Sequence, residues 1–132
     1  MSYGITTTVD EPFGPTLAAV KDALKAQGFG VLTEIDMAAT LKAKLDVDIA
    51  AQVILGACNP PLAYRALQAE DQIGLLLPCN VVVRSLPDGR TEVAAIDPQV
   101  MVTMTGNAAL AAVADDAAAR LGEALRSLKT TA

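Results

Sequence analysis

The chain contains no histidine. Ser-His-Asp and Cys-His catalysis, histidine-ligated zinc or haem, and imidazole acid–base work near neutral pH are therefore closed to a single copy. Any chemistry must use thiol, carboxylate, amine or backbone groups. Tryptophan is absent too, and two Phe and two Tyr are the whole aromatic complement of 132 residues. Packing must come from interdigitated aliphatic side chains instead of aromatic anchors. Basic residues are few, 10 Lys and Arg against 15 Asp and Glu for a net charge of -5, and none form a run. The electrostatic footprint of a nucleic-acid binder is missing. Wholly apolar stretches last only a few residues, far short of the ~20 that span a bilayer, and the first residues lack a charged-then-apolar signal pattern. The expectation is a soluble cytoplasmic protein with neither nucleic acid nor a membrane as partner.

What is present is a hydrophobic content of 52%, ample for one core and too little chain for two, so residues 1–132 read as a single domain. Ser2 to Val9 alternates as a half-buried strand does. Phe13, Leu17, Val20 and Leu24 recur at helical spacing before Gly28, which marks a helix near Phe13–Gln27 with a glycine stop. Phe29 to Ile35 is rich in strand formers, and Asp36 is placed to cap a short helix through Met37, Leu41 and Leu45. Ile49 to Ala57 reads as a strand in which Gly56 admits a close neighbour, and Asn59-Pro60 then opens a helix with Tyr64 and Leu67 on its apolar stripe. Ile73 to Leu77 is a short apolar run. Asn80–Leu86 and Thr91–Ile96 are strands joined by the turn Pro87-Asp88-Gly89-Arg90. Gln99 to Met104 suits a helical turn. A long helix near Asn107–Leu128 then carries Leu110, Val113, Ala117, Leu121, Leu125 and Leu128 on one face, with Asp116 and Arg120 spaced to pair on the other.

Three segments carry a family resemblance: Gly28-Phe29-Gly30-Val31-Leu32-Thr33-Glu34-Ile35-Asp36, Val53-Ile54-Leu55-Gly56-Ala57-Cys58-Asn59-Pro60, and Leu77-Pro78-Cys79-Asn80-Val81. With these in order over nearly the whole chain, the sequence resembles the domain of unknown function 302 (DUF302) family. The resemblance implies a compact α+β fold, a mainly antiparallel sheet covered by the two long helices with short helices inserted, and a homodimer. It implies no particular activity. Many members of that family carry His near the position held here by Tyr64-Arg65, so a mechanism using that imidazole does not transfer to this chain.

The two cysteines, each followed by asparagine beside proline, are the place where chemistry beyond that of an ordinary domain is offered. Cys58 precedes a helix start, where unpaired N–H groups favour an anion and lower a thiol pKa. The opposing reading is a small buried hydrophobe at the end of a core strand. Cys79 joins Cys58 if the two strands pair antiparallel, the arrangement the resemblance favours, and a parallel crossover separates them. No metal ligand set is assigned, because the spacing matches no zinc pattern. A soft metal would need Met101, Met104 or Met37 beside the two thiolates. Glu34 faces a partner from Lys42 or Lys44 on the following helix, or forms a plain surface ion pair. The leading expectation is a domain binding a small ligand in a pocket of Cys58, Asn59, Cys79 and Asn80, with Glu34 and Lys42 beside it. Its cofactor is unknown and none is required. The alternatives are a thiol redox enzyme or sensor using Cys58 and Cys79, and a homo-oligomeric interaction module whose cysteines only pack.

Overall fold

Alternating aliphatic residues build the centre of the structure. In the computed structural model, which describes residues 3–129, five strands are present: β1 (Gly4–Val9), β2 (Gly30–Asp36), β3 (Gln52–Cys58), β4 (Cys79–Ser85) and β5 (Thr91–Ile96). They form one sheet in the order β1-β5-β4-β3-β2, antiparallel at every step. Ser2, expected in the first strand, lies outside the described residues. The helices are α1 (Phe13–Ala26), α2 (Met37–Leu45), α3 (Pro60–Ala69), α4 (Val100–Thr105) and α5 (Ala111–Lys129). The expected α+β architecture is therefore present.

Strand periodicity sends Val53, Leu55 and Ala57 of β3, Cys79, Val81 and Val83 of β4, and Val93 and Ala95 of β5 to one face. There they meet Val20 and Leu24 of α1 and Leu121, Leu125 and Leu128 of α5. Each wholly buried leucine among them contributes about 1.5–3 kcal/mol. A second cluster lies beyond it, where Leu62 and Ala66 of α3 pack with Ile73, Met101, Leu110, Val113, Ala114 and Ala117.

Local chemistry explains the element ends. The helix α1 closes in a Schellman turn: Phe29 N–H donates to Leu24 O (2.9 Å), Gly28 N–H donates to Lys25 O (3.0 Å), and Gly28 takes the positive φ of 84° that this turn needs. Asp36 caps α2 as expected, its Oδ1 accepting from Ala39 N–H at 2.9 Å. The β4–β5 turn also stands as expected, with Gly89 at φ 86° and Asp88 Oδ1 accepting from Arg90 N–H at 3.0 Å.

The apolar run from Ile73, to which the sequence assigned no element, is a 3-10 turn (Ile73–Leu76) with Ile73 buried. Two expectations need correction. The long C-terminal helix begins with a separate 3-10 turn (Ala108–Leu110) before α5, because Asn107 Oδ1 caps Ala109 N–H at 2.9 Å and starts the chain in the tighter winding. On α3, Tyr64 is 64% and Leu67 44% exposed, and the buried stripe is Leu62 and Ala66. Those two lie four residues apart on the side facing α5, while Tyr64 and Leu67 fall on other faces.

Candidate functional site

The site grows from the register of β3 and β4. Ala57 pairs with Cys79 and Gly56 with Asn80. Cys58 is thus one step along the ladder from the residue opposite Cys79. The antiparallel pairing brings both cysteines to the same end of the sheet, and both line one cavity of about 30 Å³. Its wall combines the sheet end with Leu62, Ala63 and Ala66 of α3, Met101 of α4, and Val113 and Ala117 of α5. It occupies the seam between the two hydrophobic clusters.

Cys79 is buried and Cys58 half-buried, and both are free thiols. Burial pushes the Cys79 thiol up to about 11, and the nearby Cys58 adds to the rise. An ionised sulfur there would lose its hydration with no cation to replace it.

The local structure removes the reason for expecting an activated thiolate at Cys58. Helix α3 starts with Pro60 and Pro61, which have no N–H to offer. The first N–H of the helix belongs to Leu62 and is accepted by Asn59 Oδ1 at 3.3 Å, and the next, of Ala63, by Asn59 O at 2.9 Å. Within the first turn of α3, then, the N–H groups that exist are already taken. The two prolines were the sequence signal for this, and Pro61 is the one whose meaning the motif reading missed.

Asn59 is engaged in the same way. It is buried, its Oδ1 caps α3, and its Nδ2 donates to Gln27 O at 3.5 Å. Arg120 Nη1 donates to the same carbonyl at 3.3 Å. Asn59 therefore ties α3 to the end of α1 beside α5. Gly28 must lack a side chain there, because a Cβ would come within 3.0 Å of Asn59 Nδ2. Gly56 fulfils the expected close approach: a methyl group at this position would collide with Thr33 Oγ1 and stand 2.8 Å from Cγ of the Pro78 ring. Pro78, which follows a cis peptide bond, is itself part of the cavity wall.

The remaining expected residues lie elsewhere. Asn80 is exposed and borders an adjoining cavity of about 200 Å³, which shares Pro78, Cys79 and Met101 with the first but not Cys58. Glu34 pairs with Leu55, three residues or about 10 Å along β3 from Cys58. Its carboxylate meets Lys21 Nζ of α1 at 2.6 Å, not Lys42 or Lys44. Lys42 turns to Asp46 (2.9 Å) and Asp48 (3.4 Å) at the other end of α2. The helix cap at Asp36 points α2 away from the cysteine end, so Glu34 and Lys42 do not border the thiol cavity. Of the three methionines considered, Met101 is in the wall, and Met104 is 69% exposed. Among the described residues no three His, Cys, Asp or Glu side chains gather to hold a metal, and no helix is long and apolar enough to cross a membrane.

Comparison with known proteins agrees with this architecture. A crystal structure of an uncharacterized conserved DUF302 protein from Bacillus stearothermophilus superimposes with a TM-score of 0.90 at 31% identity, covering 98% of this chain and 100% of that one. No curated protein matches. The family model described as "Domain of unknown function DUF302" matches residues 5–128, and the chain belongs to the DUF302 family.

Proposed function

We propose that this domain binds a small ligand at the cavity between β3, β4 and α3, with Cys58, Asn59 and Cys79 in its lining and Asn59 also holding the frame. The observation that carries this reading is that both cysteine residues, from the facing ends of two neighbouring strands, line one cavity. Binding is favoured over thiol redox catalysis for two reasons. The start of α3 has no spare N–H to stabilise a Cys58 thiolate, and Cys79, held at about 11, stays protonated at neutral pH and is a poor thiolate donor. Two free thiols fit a reducing compartment, which supports a cytoplasmic setting. The test is a thermal-shift panel of metal ions and organic fragments under reducing conditions, run on the wild type and on Ala63→Leu, which fills the cavity. A stabilising compound whose effect is lost in Ala63→Leu supports the proposal. No compound with that pattern overturns it.

A homodimer is a second reading, favoured by the sheet face that α1 and α5 leave uncovered. Register places Ile35, Ile54, Val82 and Ala94 in one row across β2, β3, β4 and β5, and Ile35 is 45% exposed. Arg84 and Glu92, one row along and paired at 2.8 Å, give this face both signs of charge, so a second copy related by a two-fold axis matches it. Sedimentation of the wild type and of Val82→Glu distinguishes the cases: a dimer reduced to monomer by the substitution supports this reading, and a monomeric wild type removes it.

A further inference from the structure

We infer that the surface formed by the 3-10 turn Ile73–Leu76 and the end of α4 docks a positively charged, amphipathic segment of another protein. This surface faces solvent and does not depend on what the thiol cavity binds.

Its apolar part is exposed but firmly held. Leu75 is 83% and Met104 69% exposed, and Leu75 is the most exposed large hydrophobic side chain among the described residues. Hydrogen bonds fix the two elements beside each other: Asn107, just past the end of α4, donates from Nδ2 to Ala69 O at 2.9 Å and to Glu70 Oε1 at 3.2 Å, where α3 runs into the turn. The turn is closed by Ile73 N–H donating to Glu70 O (3.2 Å) and Leu75 N–H to Gln72 O (3.0 Å). Beneath them Ile73 and Met101, the buried residues of the same elements, are fastened into the second hydrophobic cluster. Leu75 and Met104 thus stand out from an ordered frame. Both border a depression of about 390 Å³ that Glu70, Gln72, Leu76 and Thr105 complete, and Leu75 and Leu76 also border the cavity of about 200 Å³ that reaches Asp97. Apolar side chains gathered over a depression and rimmed by polar groups mark an interaction surface, whereas single ones scattered over the protein do not. Leucine and the pliable methionine suit a partner helix or loop that must be accommodated as it arrives.

Charge decides the partner. Every residue bordering the two depressions comes from residues 66–83 or 91–119, and neither stretch contains a single Lys or Arg. Glu70 borders one depression and Asp97 the other, and exposed Asp71 follows Glu70 in the chain. Among the described residues none of these three carboxylates pairs with a Lys or Arg. Arg65, five positions before Glu70, is drawn instead to Asp116 at 3.8 Å. The apolar surface therefore carries uncompensated negative charge. Nucleic acid and anionic lipid are repelled by it, and a second copy docked through the same patch about a two-fold axis would set Glu70, Asp71 and Asp97 against themselves. A segment with leucine-like residues on one face and Lys or Arg beside them meets both the apolar and the charged part.

The probe is a fluorescein-labelled peptide of about 14 residues with leucine at i, i+3, i+4 and i+7 helical spacing and lysine elsewhere, titrated with the full chain by fluorescence polarisation. Its counterpart carries glutamate in place of every lysine. The lysine peptide should bind the wild type and the glutamate peptide should not. Leu75→Ser and Met104→Ser should each weaken binding by about 10-fold or more. Both positions are exposed, so these substitutions leave the fold intact. Asp71→Asn should weaken binding and flatten its dependence on salt, while Leu45→Ser, at the equally exposed end of α2, changes nothing. Failure of the lysine peptide to bind, equal binding of the glutamate peptide, or affinity unchanged in both Leu75→Ser and Met104→Ser overturns the inference. Two further measurements address the other occupants. A wild-type dimer that Leu75→Ser or Met104→Ser reduces to monomer in sedimentation gives the surface to a second copy, and binding to phosphatidylcholine vesicles lost in the same variants gives it to a membrane; either outcome overturns the proposal.

Discussion

Replacing Asn59 by alanine should destabilise the protein by about 2 kcal/mol, although Asn59 performs no chemistry. Its Oδ1 is the acceptor for Leu62 N–H, the first donor of a helix whose first two residues are prolines. Loss of an N-cap side chain costs about 0.5–2 kcal/mol. Here the abandoned N–H is buried, and leaving a buried donor without a partner costs about 1–3 kcal/mol. These describe the same bond and do not add; the longer contact from Nδ2 to Gln27 O at 3.5 Å contributes little more. With an unfolding entropy of roughly 2.1 cal/mol/K per residue, 2 kcal/mol lowers Tm by about 7 °C for a chain of this length. Urea unfolding followed by far-ultraviolet circular dichroism measures it, since no tryptophan is available as a fluorescent probe. Asn59→Ser keeps an oxygen at the cap and should recover about half of the loss. A change below about 0.5 kcal/mol in Asn59→Ala, or a serine variant no better than alanine, would refute the assignment of Asn59 as the tie between α3 and the end of α1.

Other outcomes follow from the same geometry. Because burial raises the folded-state pKa of Cys79 to about 11 from an unfolded value of 9.0, stability is unaffected below pH 9 and falls as pH rises from 9 to 11, by roughly 2–3 kcal/mol; Cys79→Ala should flatten that fall in alkaline urea titrations. Gly56→Ala drives a methyl into Thr33 and the Pro78 ring and should cost about 1–3 kcal/mol, with a neutral result showing that the β2 edge and Pro78 move aside freely. Leu121, fully buried between the sheet and α1, should lose about 2–5 kcal/mol on Leu121→Ala in the same unfolding assay. Lys42→Ala removes ion pairs between exposed groups, so its stability should stay within about 0.5 kcal/mol of the wild type; a larger loss would mean that the α2 terminus is anchored more firmly than its exposure implies.

Signals confined to neighbouring residues were legible in the sequence. Gly28 stopping α1, Asp36 capping α2, Asn59-Pro60 opening α3 and Asp88-Gly89 turning β4 into β5 all act within a few bonds, and each stands in the structure. The buried stripe of α5 was equally plain, because 19 residues at one periodicity leave little choice of face. The face of α3 was misjudged for the converse reason. A 10-residue helix with apolar side chains on several sides takes its inward face from whatever packs on it, here Leu110, Val113 and Ala117. Glu34 failed likewise: Lys42 and Lys44 are near in sequence, but the cation that reaches it is Lys21, on a helix crossing the sheet.

The sequence by itself determined what this protein lacks, where most of its strands and helices lie, and that two thiols are its distinctive chemistry. Those properties follow from composition and from short-range backbone preferences. Tertiary structure alone decided that Cys58 and Cys79 share a cavity, that Met101 joins them and Met104 does not, and that Glu34 and Lys42 stand apart. Each of these depends on strand register and helix docking, which bring together side chains 21 or more positions apart, a scale at which neither propensity nor spacing carries information.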